Sequence, residues 1–281
     1  MHPASNRAHV RIVQSRQNAR VKELRAGLRK GGQTDSGLIA LEGHHLVEEA
    51  LRSGLRIPSV FVRSGSQSLA DKLPLQPHTE IMELPPDIFA SAVTTESPQP
   101  VAALAEAPVF TLEDVLTKPS PLIIVSAGLQ DPGNLGTIIR SAEAFAATGL
   151  IALPGTVSIW NPKTLRASSG SAFRLPVVHT SAQKLFPALR TKRIRTVATT
   201  LPTNLDRATP AQQFNLTQPI ALFIGNEGSG LSSELTSQCE GRITIPTPGP
   251  VESLNAAIAT SVFLYEASRQ RTRSAISRVT K

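Results

Sequence analysis

The chain has 281 residues, 40% of them hydrophobic and 18% charged, which is enough for one large or two ordinary cores and excludes wholesale disorder. Its net charge of +8 favours a polyanionic partner. A single cysteine, Cys239, excludes an intramolecular disulfide and a cysteine-rich zinc site. Apolar runs fall far short of the about 20 residues of a spanning helix, and the first residues lack the apolar centre of a secretory signal, so a cytoplasmic location is expected.

Residues 1–30 carry eight Lys/Arg against one acid, Glu23, and so hold +7 of the +8. Within them Val21, Leu24 and Leu28 recur at helical spacing, which predicts a helix over Asn18–Lys30 with one apolar stripe. Its cations Arg20, Lys22, Arg25, Arg29 and Lys30 read either as a solvated face or as a surface that tracks phosphates. Gly37–Gly43 predicts a short strand, Gly43–Leu51 a helix and Ile57–Val62 a second strand, a small α/β unit. His44 and His45 lack the further converging ligands that zinc needs, so no metal is expected there. Prolines crowd residues 84–121 and argue against long helices. The domain boundary is placed near residue 108, giving an N-terminal domain 1–108 and a C-terminal domain 109–281.

Further on, Pro121–Ala127 is a continuous apolar run that predicts a buried strand. Gln130–Gly136 is rich in turn residues, and Thr137–Ala147 has helical spacing. Strands follow at Leu150–Leu153, Arg195–Thr199, Ile220–Ile224 and Arg242–Ile245, and a last helix at Leu254–Ala267. Alternating strands and helices predict a mostly parallel sheet, with any ligand outside the carboxyl ends of its strands.

Three segments lie at such ends. The first, DPGNLGTIIR, holds Asn134 in a turn and Arg140 in the following helix. The second, GNEGSGL at Gly225–Leu231, places three glycines directly after a strand, where backbone amides can approach a ligand closely. It fits neither G-x-G-x-x-G nor a phosphate-binding P-loop. The third, IPTPGPVESLNAA at Ile245–Ala257, runs through a proline-rich loop into Ser253 and Asn255. Singly, these read equally well as helix caps, a surface arginine and an ordinary glycine turn.

Together they resemble the three motifs of the SpoU (TrmH) family of RNA ribose 2′-O-methyltransferases, in order: DPGNLGTIIRSAEAF, LFIGNEGSGLS and IPTPGPVESLNAAIATSVFLYEASRQR. NPKTLRASSGSAFRLP between the first two, and NARVKELRAGLRK and LEGHHLVEEAL near the N-terminus, are also similar to the family, so the resemblance spans nearly the whole chain. Two positions depart from its pattern, Thr247 where the family often has Met and Ala256 where it often has Val; neither removes a group the chemistry needs.

The resemblance implies a fold and a reaction. The fold is a C-terminal α/β trefoil-knot domain beside a small α/β RNA-binding domain, in a homodimer whose active site lies near the subunit interface. The reaction is S-adenosylmethionine-dependent methylation of a ribose 2′-hydroxyl, in ribosomal (23S) RNA before tRNA, with a non-catalytic RNA binder on the same fold as the alternative from another class. It implies Asn134, Arg140, Glu227, Ser253 and Asn255 as the catalytic set. Thr199, Gly225, Asn226, Gly230, Ile245, Leu254 and Ala257 are implied as the cofactor site, with no metal. Arg166 joins the basic helix as an RNA contact. Arginine keeps its proton above about pH 12, so Arg140 is expected to clamp phosphate and stabilise a developing alkoxide rather than act as a base. Aromatic residues make up only 4%, so RNA shape and phosphates are expected to dominate over base stacking.

Overall fold

A computed structural model describes residues 10–29, 31–95, 97–201 and 208–279, the last five of these without their side chains. The chain divides into two compact units, Met1–Val109 with Ser158–Phe173, and Phe110–Val157 with Arg174–Lys281.

The first unit opens with β1 (Val10–Ile12), α1 (Ala19–Arg29), β2 (Leu38–Glu42), α2 (His44–Arg52), β3 (Ser59–Arg63) and α3 (Gln67–Ala70), followed by β4 (Glu80–Leu84), α4 (Pro86–Ala92) and β5 (Val101–Glu106). Its sheet has the order β1-β4-β3-β5-β2, parallel across the first three strands and antiparallel where β5 meets β3 and β2. The predicted strands β2 and β3 are therefore not neighbours, because β5 lies between them. The expected apolar stripe of α1 is buried: Val21, Leu24 and Leu28 pack with Phe61, Met82 and Phe89. The sequence pattern does not give β1, β4 or β5, and for β1 and β5 the reasons are opposite. β1 exposes Val10 and Ile12 and so shows no burial pattern. β5, VAALAE, is buried but built largely of alanine, a poor strand former.

In the second unit come α5 (Leu112–Leu116), β6 (Leu122–Ser126), α6 (Pro132–Ala144) and β7 (Gly149–Ala152). Ser158–Phe173, with α7 (Pro162–Ser168), belongs to the first unit, and no break in composition marks that change. The second unit resumes with β8 (Val177–His179), α8 (Ala182–Thr191), β9 (Arg195–Thr199), β10 (Thr209–Pro210), β11 (Ile220–Ile224), α9 (Ser233–Gln238), β12 (Gly241–Thr244) and α10 (Ala256–Val279). Its sheet has the order β10-β12-β9-β11-β6-β7-β8, with every pair parallel. β6 and β11 are buried along their whole length, as strands covered on both faces must be, and their sequences LIIVS and IALFI read accordingly. Phe223 of β11 stacks on Phe186 of α8, with ring centroids 5.1 Å apart.

Two boundaries correct the sequence reading. α6 starts at Pro132, not Thr137, because the Asp131 carboxylate accepts the Asn134 N–H at 2.7 Å and proline fits the first turn. DPGN is a capped helix start, so Asn134 lies in the first turn of α6. α10 runs twelve residues past the expected Ala267, through a polar stretch rich in good helix formers. Its cap is Asn255, whose Oδ1 accepts the N–H groups of Ala257 at 2.9 Å and Ile258 at 3.2 Å.

Candidate active site

Adjacent parallel strands β12, β9 and β11 bring three chain ends to one edge of the sheet. Past β9, Thr199 donates its hydroxyl to Phe223 O at 2.9 Å, and the Thr200 N–H reaches Ile243 O at 3.0 Å. Past β11, Asn226 and Gly230 exchange two backbone hydrogen bonds of 3.0 and 2.9 Å, closing the glycine loop on itself. A Cβ on Gly225 would sit 2.1 Å from the carbonyl carbon of Gly230, and Gly230 has φ +68°, so both positions require glycine. The Asn226 side chain fastens the loop from within: its amide donates to Gly128 O at 2.8 Å and its carbonyl accepts the Gly228 N–H at 2.8 Å.

Between these ends and the start of α10 lies a cavity of about 930 Å³. Thr199, Gly225, Asn226, Gly230, Ile245 and Leu254 all line it, as do Glu227, Ser253 and Asn255. Ala257 does not; it is buried on α10 among core residues. Sequence reasoning does not single out Ser233, Arg242, Glu252 and Phe263, which also line it. Thr200, in the segment that follows Thr199 at the end of β9 and that the sequence also offers for the cofactor, lines it as well. Arg242 lies inside a strand, and only the sheet order brings it to the cavity.

Asn134 is outside the lining but bound to it. Its amide donates to Glu227 Oε1 at 3.0 Å, and its carbonyl accepts the Asn255 amide at 3.0 Å. Glu227 also accepts the N–H groups of Gln130 at 3.3 Å and Asp131 at 3.2 Å. One side chain from each of the three segments thus forms a single hydrogen-bonded run. Partial burial pushes the Glu227 carboxyl toward protonation. Donation from the Asn134 amide and the N–H groups of Glu227, Asp131 and Gln130 outweighs this and holds its pKa below the ordinary glutamate value. Glu227 is therefore an anionic acceptor at neutral pH, suited to orienting Asn134 and unsuited to giving up a proton. Arg140 lies on the exposed side of α6, outside the described lining. Cys239 is no nucleophile: burial, with Glu240 adding to it, pushes its thiol up to about 12.

The cations expected to meet RNA fare differently within the first unit. Arg25 is committed to the fold, donating to Ser91 O at 3.0 Å and Ser91 Oγ at 3.1 Å. Arg20 pairs with Glu23 at 2.8 Å. Lys22, Arg29 and Arg166 are exposed, and Lys30 lies outside the described residues. Among the described residues no group of acids, histidines and cysteine could hold a metal ion, and no helix is long and apolar enough to cross a membrane.

Comparison with known proteins agrees across most of the chain. Residues 121–265 match the model of the SpoU rRNA Methylase family, and residues 18–103 match the MRM3-like substrate binding domain. The chain is 31% identical to the 23S rRNA (guanosine(2553)-2'-O)-methyltransferase RlmP of Bacillus subtilis, over 90% of this chain and 97% of that protein. It is 32% identical to the 23S rRNA (uridine(2479)-2'-O)-methyltransferase of Streptomyces viridochromogenes, over 90% and 91%. The crystal structure of an AdoMet-bound rRNA methyltransferase from Sinorhizobium meliloti superposes with a TM-score of 0.81 at 30% identity, covering 92% of this chain and 98% of that one. The SpoU methyltransferase AviRb from Streptomyces viridochromogenes, in complex with AdoMet, does so with 0.78 at 29%, covering 91% and 99%. With three strand-end segments joined around one cavity and these matches along its length, the chain belongs to the SpoU rRNA methylase family.

Proposed function

We propose that this chain transfers a methyl group from S-adenosylmethionine to a ribose 2′-hydroxyl of 23S ribosomal RNA. The observation that carries this reading is the run Asn255–Asn134–Glu227, which ties the three segments together at the edge of the cavity. The substrate follows the relatives that match this chain over nine-tenths of its length and carry a 23S rRNA name; tRNA is the less favoured alternative.

The residues present fit the cofactor. The Thr200 hydroxyl is buried in the cavity wall with no hydrogen-bond partner among the described residues, an open position for a bound polar group. The glycine loop offers backbone donors and acceptors, and Ile245 and Leu254 offer apolar surface for a nucleobase. When bound, S-adenosylmethionine supplies a methyl group already activated on a sulfonium, so the protein's tasks are alignment and charge. Thr199, Gly225, Asn226, Gly230, Ile245 and Leu254 hold the cofactor, with Ala257 packed behind them. Glu227 and Asn255 fix the Asn134 amide, which orients the ribose, and Ser253 shapes the rim. Arg140 clamps the RNA phosphate and stabilises the charge growing on the 2′-oxygen, whose proton leaves to phosphate or water.

The N-terminal domain, 1–108, supplies the address on RNA through exposed cations such as Lys22 and Arg29, helped by Arg166. The C-terminal domain, 109–281, carries the family's trefoil knot and forms a homodimer. Ile258, Val262 and Tyr265 of α10 support the dimer: they follow at steps of four and three, share one face, and are 55%, 38% and 57% exposed. A partner on that face, beside α6 and Arg140, puts the site near the interface. Val262→Asp is expected to convert the dimer to a monomer in sedimentation; an unchanged mass for wild type and variant refutes this interface. We place the enzyme in the cytoplasm, with its RNA.

The test uses methyl-labelled S-adenosylmethionine with separated, unmodified rRNA and tRNA pools. The expected product is a 2′-O-methylnucleoside in rRNA. Arg140→Ala is expected to lose about 100-fold or more in turnover, the scale of removing an oxyanion donor, while its cofactor affinity in calorimetry stays unchanged. A labelled base overturns the ribose assignment, and full turnover by Arg140→Ala overturns that residue's role. No label together with no cofactor binding leaves the chain as an RNA binder.

A further inference from the structure

The turn from α8 into β9, RTKRIR at 190–195, carries four cations. Two acids adjoin it: Glu113, which pairs with Lys192 at 2.6 Å, and Glu240, whose N–H reaches Thr196 O at 2.9 Å. Arg190, Arg193 and Arg195 are exposed and make no ion pair among the described residues. The Arg193 N–H donates to Arg190 O at 3.0 Å, so these two side chains leave one tight turn. The fold uses a neighbouring arginine quite differently. Arg271 of α10 donates to Ser120 O at 2.6 Å, Leu216 O at 2.9 Å and Gln218 O at 2.8 Å, beside the Pro219 O that accepts the Arg195 N–H.

Two of the three open arginines are set up in ways the fold itself does not need. Arg193 follows the cap of α8 and has φ +55°, the left-handed conformation that favours glycine at a helix end. An arginine there strains the backbone, and among the described residues no hydrogen bond of its side chain offsets that strain. Arg195 lies over the Phe214 ring, 4.6 Å from its centroid. A guanidinium held over a ring is pre-organised and keeps its N–H donors open for a phosphate. Arg195 opens β9, whereas Thr199, which lines the cavity, closes it. The strand between them is ~13 Å long, so the turn lies at the opposite edge of the sheet from the cofactor cavity.

We propose that Arg190, Arg193 and Arg195 form an RNA contact on the methyltransferase domain itself, which grips the phosphate backbone of the ribosomal RNA away from the target ribose. The contact reads no bases: it adds affinity through counterion release and leaves the choice of nucleotide to the rest of the molecule. The inference rests on the RNA substrate proposed above and adds a surface that neither the N-terminal domain nor the cavity contains.

Binding of unmodified 23S rRNA by the full chain, titrated at several salt concentrations, tests it. Arg193→Gly relieves the left-handed strain, so its denaturation midpoint is expected to equal or exceed that of wild type. Its RNA affinity is nevertheless expected to fall, and the slope of log affinity against log salt to shrink by about 0.7 to 0.9, one phosphate contact. Arg190→Gln keeps a good helix former in α8 and is expected to do the same without touching the turn. Together the two substitutions are expected to weaken RNA binding about tenfold at low salt, while S-adenosylhomocysteine binding in calorimetry stays at the wild-type value. Unchanged RNA affinity and slope in both variants overturn the proposal, and a lower denaturation midpoint for Arg193→Gly in that case assigns Arg193 to the end of α8. In that outcome wild-type RNA binding stands and the substrate reading survives. A wild type that binds no RNA overturns the substrate reading and this proposal together.

Discussion

Each unit contains a glutamate at or just past a strand end that collects hydrogen bonds from a segment distant in sequence, and the surroundings of the two differ. Glu42, the last residue of β2, is 6% exposed. Its two oxygens accept the N–H groups of Thr94 and Thr95, both at 3.2 Å, the Thr94 hydroxyl at 2.9 Å, and the Thr95 hydroxyl. Glu227, three residues past β11, is exposed at the rim of the cavity and accepts the Asn134 amide and two backbone N–H groups. The acceptor chemistry is the same. Burial decides the use: a carboxylate sealed on all sides can only hold loops together, whereas one facing a cavity can also hold a side chain that meets substrate.

The largest effect that tests this contrast is on the buried glutamate. Glu42→Ala strands two backbone N–H groups and two hydroxyls away from water. Hydrogen bonds to a charged acceptor contribute about 1.5–3 kcal/mol each, so a loss of about 3 kcal/mol or more in unfolding free energy is expected by denaturant titration. Cofactor affinity in the fraction that stays folded is expected to be unchanged. A stable Glu42→Ala protein with weakened cofactor binding breaks the division between the two glutamates.

The motif residues were legible in the sequence because glycine, proline and cap residues cluster at strand ends, and a local pattern shows such ends without knowing the sheet. What was not legible depends on long-range pairing. Glu42 reads as one more strand residue, since its threonine partners lie 52 and 53 positions away. The contact between Asn134 and Asn255 spans 121 positions. The place of Arg242 in the cavity lining depends on β12 lying beside β9, which no local periodicity encodes. The transfer of Ser158–Phe173 to the first unit is of the same kind. Local pattern reads Asp-Pro before Asn134 as a turn, whereas it is the capped first turn of α6.

Glu227→Gln sharpens the comparison from the other side, with a smaller effect on stability and a larger one on turnover. The amide still accepts one hydrogen bond, so the expected cost in unfolding free energy at neutral pH is under about 1 kcal/mol, the range of exposed substitutions. Turnover is expected to fall about tenfold or more, because a loosened Asn134 no longer holds the ribose in line. Acid separates the two consequences. The folded pKa of Glu227 lies below its unfolded value. Its contribution to stability is therefore complete above the unfolded value and disappears as pH falls through the folded one. Glutamate in an unfolded chain titrates near pH 4.3, so the stability gap between wild type and Glu227→Gln is expected to be constant above about pH 5 and to close below about pH 4. A gap that instead widens in acid means that partial burial outweighs the donors and that the carboxyl is held protonated. Glu227 would then be a proton donor in the cavity rather than the anion that orients Asn134.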